Sequence, residues 1–411
     1  MGKFHRTFFL LLTAALVCGC PPAEEQNQAP SSGTPFLRVL LVQDASQISL
    51  AATGDPVLSV GNDGSRVQLE MPAGEVVPVS ILGGQWRMGM QSVGSGALKL
   101  SPPPDGLLSI DGTQYHGNVR LIPCDDGAHF NCINDVSIDD YLKGVLPREL
   151  YPKWEMQTYK AQAVVARTYA LYIAHTEGLD RDWDLYSDTR SQVYGGVSAE
   201  TEKSRAAAAE TAGLVLTYGP SDGKIFMAYF SSDSGGVSQS AYDAFGEFNI
   251  PPLSARDDHE YGNISPHRNW GPVWITREDL TRRIRAWAAR RLPPRAEQNM
   301  GLLANVQLAA VNAFGRPTEF RLTDIAGQMY VIRAEELRAA FDTDPIPGST
   351  LPSSFCKVAV NGDYVVFYDG HGYGHGVGMS QWTAEDQAEH GMDYEAILDS
   401  AYPQVQFARA Y

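Results

Sequence analysis

The sequence predicts an α+β protein: a β-rich amino-terminal unit packed on a mixed helical body that carries an inserted subdomain. Three observations predict it. From Phe36 to Val136, apolar runs of strand length alternate with Gly, Pro and Asp turn signals. From Ser137 to His175 the apolar period becomes helical, and the last ninety residues combine strands, a glycine-rich loop and two short helices. The 411 residues, 44% hydrophobic and 19% charged, are ordinary for a chain that buries a core. The net charge is −16, and no Lys/Arg-rich run is long enough to neutralise a row of phosphates, so nucleic acid is excluded as a partner.

The elements follow in order. Phe36–Val42 is a continuous apolar strand, and Val67–Met71, Val76–Leu82, Leu107–Ile110 and Val119–Ile122 are further strands. These make residues 36–136 the β-rich unit. Ser137 is placed to cap a helix that Pro147 limits. A second helix runs from Glu155 to about His175; it has no internal Gly or Pro and is apolar enough to be buried. An Ala-rich helix is expected over Glu200–Thr211 and strands over Leu214–Tyr218 and Ile225–Phe230. Glu278–Arg291 reads as a basic amphipathic helix with a solvated face. Strands near Phe320–Leu322 and Val358–Tyr368, then helices over Ser380–His390 and Tyr394–Ala401, complete the body at 137–411, with an insertion from about Glu247 to Ser354.

The amino terminus is a separate matter. Lys3 and Arg6 precede an apolar run from Phe8 to Val17, too short for the roughly 20 residues that span a bilayer, so residues 1–19 read as a secretory signal. The run ends in Val17-Cys18-Gly19-Cys20, which looks like a bacterial lipobox; the match implies cleavage before Cys20 and lipidation of its thiol. Residues 20–35, rich in Pro, Ala, Gln, Ser and Glu, read as a disordered tether. The expectation is an extracytoplasmic, membrane-anchored lipoprotein. Loss of residues 1–19 removes Lys3 and Arg6 and no acid, moving the charge from −16 to −18. Outside the cytoplasm disulfides persist, and Cys124 and Cys132 flank a short polar segment that suits a hairpin tip; a bond between them is expected, with Cys356 left as a buried thiol.

Three segments place polar residues in glycine-rich or apolar surroundings. The first is IDDYLKGVLPRELYP from Ile138 to Pro152, followed by Lys160–Tyr169 (KAQAVVARTY). The second is SDTRSQVYGG from Ser187 to Gly196, with SSDSGG from Ser231 to Gly236. The third is GHGYGHGVGMSQW from Gly370 to Trp382. In this order they resemble the stage II sporulation protein D family (SpoIID/LytB), which includes peptidoglycan lytic transglycosylases and amidase enhancers. The likeness runs through Asp140–Ala170, Asp188–Gly195, Ser232–Gly236 and the loop up to Gln381, and extends over almost everything from Phe36 onward.

The resemblance implies a cell-wall enzyme that cleaves glycan between N-acetylmuramic acid and N-acetylglucosamine, with Glu149 in the position of the family's catalytic glutamate. Such a reaction manages with one acid, because the muramic acid's own C6 hydroxyl serves as nucleophile and gives an anhydro product. Pro147, Leu150 and Tyr151 give Glu149 an apolar setting, which is expected to favour its protonated form. Around it the resemblance places Gln162, Arg167, Asp188, Gln192, Tyr194, Ser232, Ser234, His375, Ser380 and Gln381 as substrate-binding residues. Arg167, in an Ala/Val helix, must find a partner because an unpaired buried charge is costly, and a role in shaping the fold competes with substrate binding. Ser380 and Gln381 are also placed to cap the following helix.

Rival chemistries leave weaker traces. His371 and His375 are four apart, but in a loop with five glycines that spacing does not make a metal pair, and no H-E-x-x-H is present; no metal or cofactor is expected. Ser232 or Ser234 with His375 and Asp188 lacks the G-x-S-x-G elbow of a serine hydrolase. Asp140 or Asp188 as a second carboxylate would instead make a hydrolase. A different class is a peptidoglycan-binding protein that stimulates a partner amidase without cleaving anything. The expected partners are therefore glycan strands, the membrane through the lipid, and a cell-wall amidase.

Overall fold

The computed structural model describes residues 33–60, 65–68, 71–220, 223–247, 249–344 and 350–411. The signal, the lipidation site Cys20 and nearly all of the tether lie outside the described residues. The chain, 27% helix and 34% strand, is α+β. It divides into two compact units: the described part of Asn27–Met227 together with Gln406–Tyr411, and Ala228–Val405. The expected boundary at 136/137 does not coincide with that division. Val136, the cap Ser137 and Ile138 run without a break from strand into helix, and Val136 and Ile138 are fully buried in the same unit.

The first unit is built on two sheets. One has seven strands in the order Leu185–Tyr186, Phe36–Ala45, Phe130–Ser137, Asn118–Pro123, Leu98–Ser101, Val57–Val60, Ser65–Gln68. The other has six, with Gln47–Ala52 between Leu108–Ile110 and Val77–Leu82. Alternation decides which side chains go inside: Leu37 and Val39, two apart on the first strand, are both fully buried, as a period of two requires.

Three helices cover this frame. α1 (Ile138–Glu149) starts at Ser137, whose hydroxyl accepts from the Asp140 N–H, and it passes through Pro147 instead of stopping there. A proline removes only its own N–H, and the Leu150 N–H still reaches the Leu146 carbonyl, so the last turn closes. α2 (Met156–His175) follows the sequence expectation closely, and thirteen of its residues are buried. α3 (Glu202–Glu210) opens with a capping box in which Thr201 and Ser204 satisfy each other's backbone N–H groups. Leu214–Tyr218 pairs on one edge with Lys224–Ile225 and on the other with Gln406–Arg409, so the last strand described closes a sheet of the first unit.

The expected strand Ile225–Phe230, which spans the division at Met227, does not form as one element. Its ends pair with different strands: Lys224–Ile225 with Leu214–Tyr218, and Phe230–Ser231 with Met379–Ser380. α4 (Ala241–Phe245), α5 (Arg277–Ala289), α6 (Ala334–Phe341), α7 (Gln381–Glu389) and α8 (Tyr394–Ala401) accompany two three-stranded antiparallel sheets. A single core gathers Ile275, Leu280, Ile284, Phe320, Leu337, Phe341, Val365 and Phe367. That core extends past the expected end of the insertion at Ser354, because Val365 and Phe367 are part of it. No helix among the described residues is long and apolar enough to cross a membrane.

The hairpin joining Asn118–Pro123 to Phe130–Ser137 corrects the disulfide expectation. Cys132 lies opposite Leu121, while Cys124, past the strand end, donates its N–H to the His129 carbonyl. The two cysteines are thus three register positions apart, roughly 10 Å along the ladder, beyond the reach of an S–S bond. Both are free thiols, as is Cys356. Burial pushes the Cys124 thiol up to about 11, and the fully buried Cys132 thiol higher still.

Candidate active site

The family-like residues fall into two groups, one in each unit. The first is organised around the carboxyl end of α1. Gly144 lies one helical turn before that end, and a Cβ there would sit 2.8 Å from both the Gly196 carbonyl and the Tyr194 ring. This absence of a side chain lets the loop Gln192–Gly196 lie against the helix, and the Gly195 N–H donates to the Gly144 carbonyl at 3.1 Å. Gly196 has φ +59, and a Cβ would lie 2.3 Å from the Gln114 carbonyl, so no other residue fits without displacement. The clamp brings the Val193 N–H to the carboxylate of Glu149, donating to Oε1 at 3.1 Å.

Behind Glu149 stands a buried tyrosine layer. The rings of Tyr141 and Tyr194 are 5.0 Å apart, those of Tyr115 and Tyr194 5.6 Å. The Tyr141 hydroxyl donates to Gln192 Oε1 at 3.2 Å, and the Tyr194 hydroxyl donates to Asn134 Oδ1 at 3.2 Å. Asn134 in turn donates to the carbonyls of His116 and Asn118. Burial holds the Tyr141 and Tyr194 hydroxyls well above their ordinary value, so both remain donors at neutral pH. Glu149 itself is partly exposed, and the exposed Tyr151 ring, two residues on, packs tilted against Trp154 with centroids 5.2 Å apart. Sequence reasoning missed Tyr141, Asn134 and Gly144 as contributors. Asn134, a polar residue inside the apolar run Phe130–Val136, was the available signal.

Several residues expected to bind substrate face inward. Gln162 and Gln192 are fully buried, and Tyr194 nearly so. Arg167 takes the fold-shaping one of the two roles expected for it: all five of its N–H groups have protein acceptors. They reach the Tyr411 hydroxyl (3.0 Å), the Thr211 hydroxyl (3.4 Å), the Leu214 carbonyl (3.2 Å), Asp139 Oδ1 (3.1 Å) and the Ala208 carbonyl (3.2 Å). A buried guanidinium filled in this way anchors α2 to α1, to α3, to the strand Leu214–Tyr218 and to Tyr411. Lys160, on the same face, pairs with Glu210.

The two other carboxylates considered for a hydrolase are each tied to a cation. Asp188, exposed, accepts from the backbone and guanidinium of Arg190, and that pairing holds its pKa below the usual carboxylate range. Asp140 is half-buried. Burial pushes its pKa up, but Lys143 at 2.7 Å and the Ser137 hydroxyl outweigh that and lower it. It also sits nine residues before Glu149 on α1, about 13 Å along the helix.

The second group lines two facing loops. Phe230–Ser231 pairs in parallel with Met379–Ser380, and Asp233 exchanges backbone bonds with Tyr373. Ser380 caps α7, accepting from Thr383, and its hydroxyl also accepts from the Ser234 N–H. Arg316, fully buried, donates to the carbonyls of Ser234, Val237 and His375 and so ties both loops together. Gln239 adds bonds to Glu335 and to the His375 carbonyl. Ser234, Ser380 and Gln381 are buried, and Ser232 is partly exposed.

His375 packs edge-on against Tyr229 and Phe245, and its Nδ1 accepts from the Val377 N–H at 3.0 Å. Desolvation pushes its pKa down to about 4, so the ring is neutral at physiological pH. His371 bonds instead to Asn269 at 2.8 Å and stacks on Phe355. Among the described residues no three His, Cys, Asp or Glu side chains gather as a metal-binding group.

Part of the chain is similar to known proteins. Residues 126–218 match the family described as Stage II sporulation protein (SpoIID), a span that holds Glu149, Gln192 and the glycine clamp and ends before the second group. An uncharacterized protein of Brachyspira hyodysenteriae is 29% identical over 295 residues, covering 72% of each chain. The amidase enhancer of Bacillus subtilis is 27% identical over 330 residues, 72% of this chain but 44% of that protein. Stage II sporulation protein D of Bacillus amyloliquefaciens is 27% identical over 292 residues, 68% of this chain and 76% of that one. The chain is thus similar to stage II sporulation protein D and to an amidase enhancer over about 70% of its length, and the segment that positions Glu149 is the part that matches the family model.

Proposed function

We propose that the protein acts on the bacterial cell wall as a lytic transglycosylase, with Glu149 as its single acid/base. The observation that carries this reading is the setting of Glu149: a carboxylate partly exposed at the end of α1, with one oxygen accepting from the Val193 N–H and an exposed tyrosine ring two residues on. Asp140 and Glu149 are nine residues, two and a half turns, apart on α1 and so start from opposite sides of the helix.

In the proposed reaction the Glu149 carboxylic acid gives its proton to the glycosidic oxygen as the bond to C1 of N-acetylmuramic acid breaks. The resulting carboxylate takes the proton of that sugar's C6 hydroxyl while the oxygen bonds to C1, closing a 1,6-anhydro ring and leaving Glu149 protonated. The Val193 N–H serves both states, since it can donate to the carbonyl oxygen of the acid or to the carboxylate. Tyr151 offers an exposed ring beside the acid for a sugar to lie on. The buried Gln192, Tyr141 and Tyr194 act as positioning residues. Lipidation at Cys20 and an extracytoplasmic location belong to the same proposal and rest on the lipobox-like sequence.

Incubation with isolated glycan strands followed by mass analysis tests the reading. Anhydromuramyl ends that disappear with Glu149→Gln are expected; their absence from the wild-type reaction overturns it. The likeness to an amidase enhancer supports a second reading, in which the protein binds peptidoglycan and stimulates a partner amidase. In that case Glu149→Gln stimulates as well as wild type.

A further inference from the structure

The second unit carries a solvent-facing sheet surface that none of this chemistry uses. The strands Val273–Thr276, Tyr364–Tyr368 and Lys357–Asn361 form a three-stranded antiparallel sheet with Tyr364–Tyr368 in the middle. On the middle strand Val365 and Phe367 point into the core, so Tyr364, Val366 and Tyr368 share the opposite face. Trp274 lies across from Val366 on that same face, midway between the two tyrosines. Its ring meets Tyr364 edge-on at 6.1 Å. Trp274 is 52% exposed, Tyr364 47% and Tyr368 39%. The two tyrosines are thus about 13 Å apart along the middle strand, and Trp274 stands on the neighbouring strand level with the midpoint between them.

The rim is polar. Thr276 and Asn361 flank Tyr364 from the two neighbouring strands, and Lys357 lies across from Tyr368; all three are exposed. The nearby charges cancel in pairs, Lys357 with Asp369 at 2.8 Å and Arg277 with Asp363 at 3.0 Å. The surface is therefore aromatic, uncharged on balance and edged with hydrogen-bonding groups.

We infer that the Trp274–Tyr364–Tyr368 face is a stacking platform for a short run of N-acetylated sugars, a glycan-holding surface separate from the residues around Glu149. A pyranose presents an apolar C–H face that fits an aromatic ring and a hydroxyl edge that fits a polar rim, and Trp and Tyr combine flat contact area with few rotatable bonds. Area argues against a second copy of the chain: three half-exposed rings supply roughly 300 Å², while a stable dimer covers about 800 Å² per partner. Charge argues against an anionic lipid surface, because each cation here already has an acid and the chain carries −16 overall. The choice of cell-wall glycan as the natural sugar rests on the proposed function; the platform itself does not.

The test uses the full chain and two probes, glycan strands stripped of stem peptides for co-sedimentation and tetra-N-acetylchitotetraose for calorimetry. Trp274→Ala is expected to weaken binding about tenfold, Tyr364→Ala and Tyr368→Ala about fivefold, and Trp274→Phe least of all, with the thermal midpoint unchanged because the rings are exposed. Unchanged binding in Trp274→Ala overturns the inference. So does light scattering that shows a dimer dissolved by Trp274→Ala, or vesicles of phosphatidylglycerol that bind the wild type and lose the Ala variant. Glu149→Gln separates the two readings: it abolishes cleavage if the proposed function holds, and it leaves Trp274-dependent binding intact if the platform is real. A protein that binds through Trp274 but never cleaves strands retains this inference and loses the other.

Discussion

The two groups of family-like residues treat their titratable member in opposite ways. At the end of α1, glycines bring a loop against a helix so that a backbone N–H meets a partly exposed carboxylate. In the glycine-rich loop of the second unit, glycines bring two loops together around the buried Arg316, and His375 is pressed between aromatic rings and kept neutral. In both places glycine permits close backbone approach. What differs is what the approach delivers: in one case a carboxylate partly open to solvent, in the other a packed junction. A motif rich in histidine and glycine therefore need not mark the reacting groups.

The largest expected effect breaks the comparison on its catalytic side. Glu149→Gln should lower the rate of strand cleavage by about 10²- to 10⁴-fold while leaving the unfolding midpoint unchanged, measured by product mass and by thermal melting. Next, Arg167→Met should cost about 3–5 kcal/mol of stability, because Asp139 and several buried acceptors lose their donor together; urea titration reads it. A substrate-binding arginine would instead raise KM and leave stability alone.

Gly196→Ala sharpens the role of the clamp. It should cost about 1–3 kcal/mol, since φ +59 and the Gln114 carbonyl both resist a side chain, and it should reduce cleavage by shifting Val193 away from Glu149. The second unit should show its difference through pH. The folded pKa of His375, about 4, lies below the ordinary value near 6.5, so the unfolded chain binds the proton more readily. Its contribution is fully present above pH 6.5 and is lost as the pH falls toward 4. Denaturation midpoints across that range should drop for the wild type and drop less for His375→Gln. The smallest effect is at Cys124: Cys124→Ser should change stability by under about 0.5 kcal/mol, with or without reductant, because no bond to Cys132 exists to lose.

Much of this was legible in the sequence where local rules govern. α2, α8 and the strand Leu214–Tyr218 lie where periodicity placed them to within a residue, and Ser137 and Ser380 cap the helices they precede. What local rules could not supply was register and partnership. The spacing of Cys124 and Cys132 suited a hairpin, yet the ladder set Leu121 opposite Cys132. Arg167 declared that it needed a partner, but its acceptors come from Asp139, from the end of α3 and from Tyr411, which only the assembled fold brings together. The substrate-facing character expected of Gln192 depended on burial, which no spacing reveals.

One of those partnerships also bears on how the protein is made. Tyr411 and Arg167 are 244 residues apart in sequence, and the strand Gln406–Arg409 completes a sheet begun at Leu214. The first unit is therefore a discontinuous domain, interrupted by the whole of the second. A nascent chain emerging amino end first holds Arg167 with one N–H still short of its acceptor, and Leu214–Tyr218 with one edge unpaired, until residues 406–411 follow, so its closing step is a high-contact-order event that a chaperone would have reason to protect.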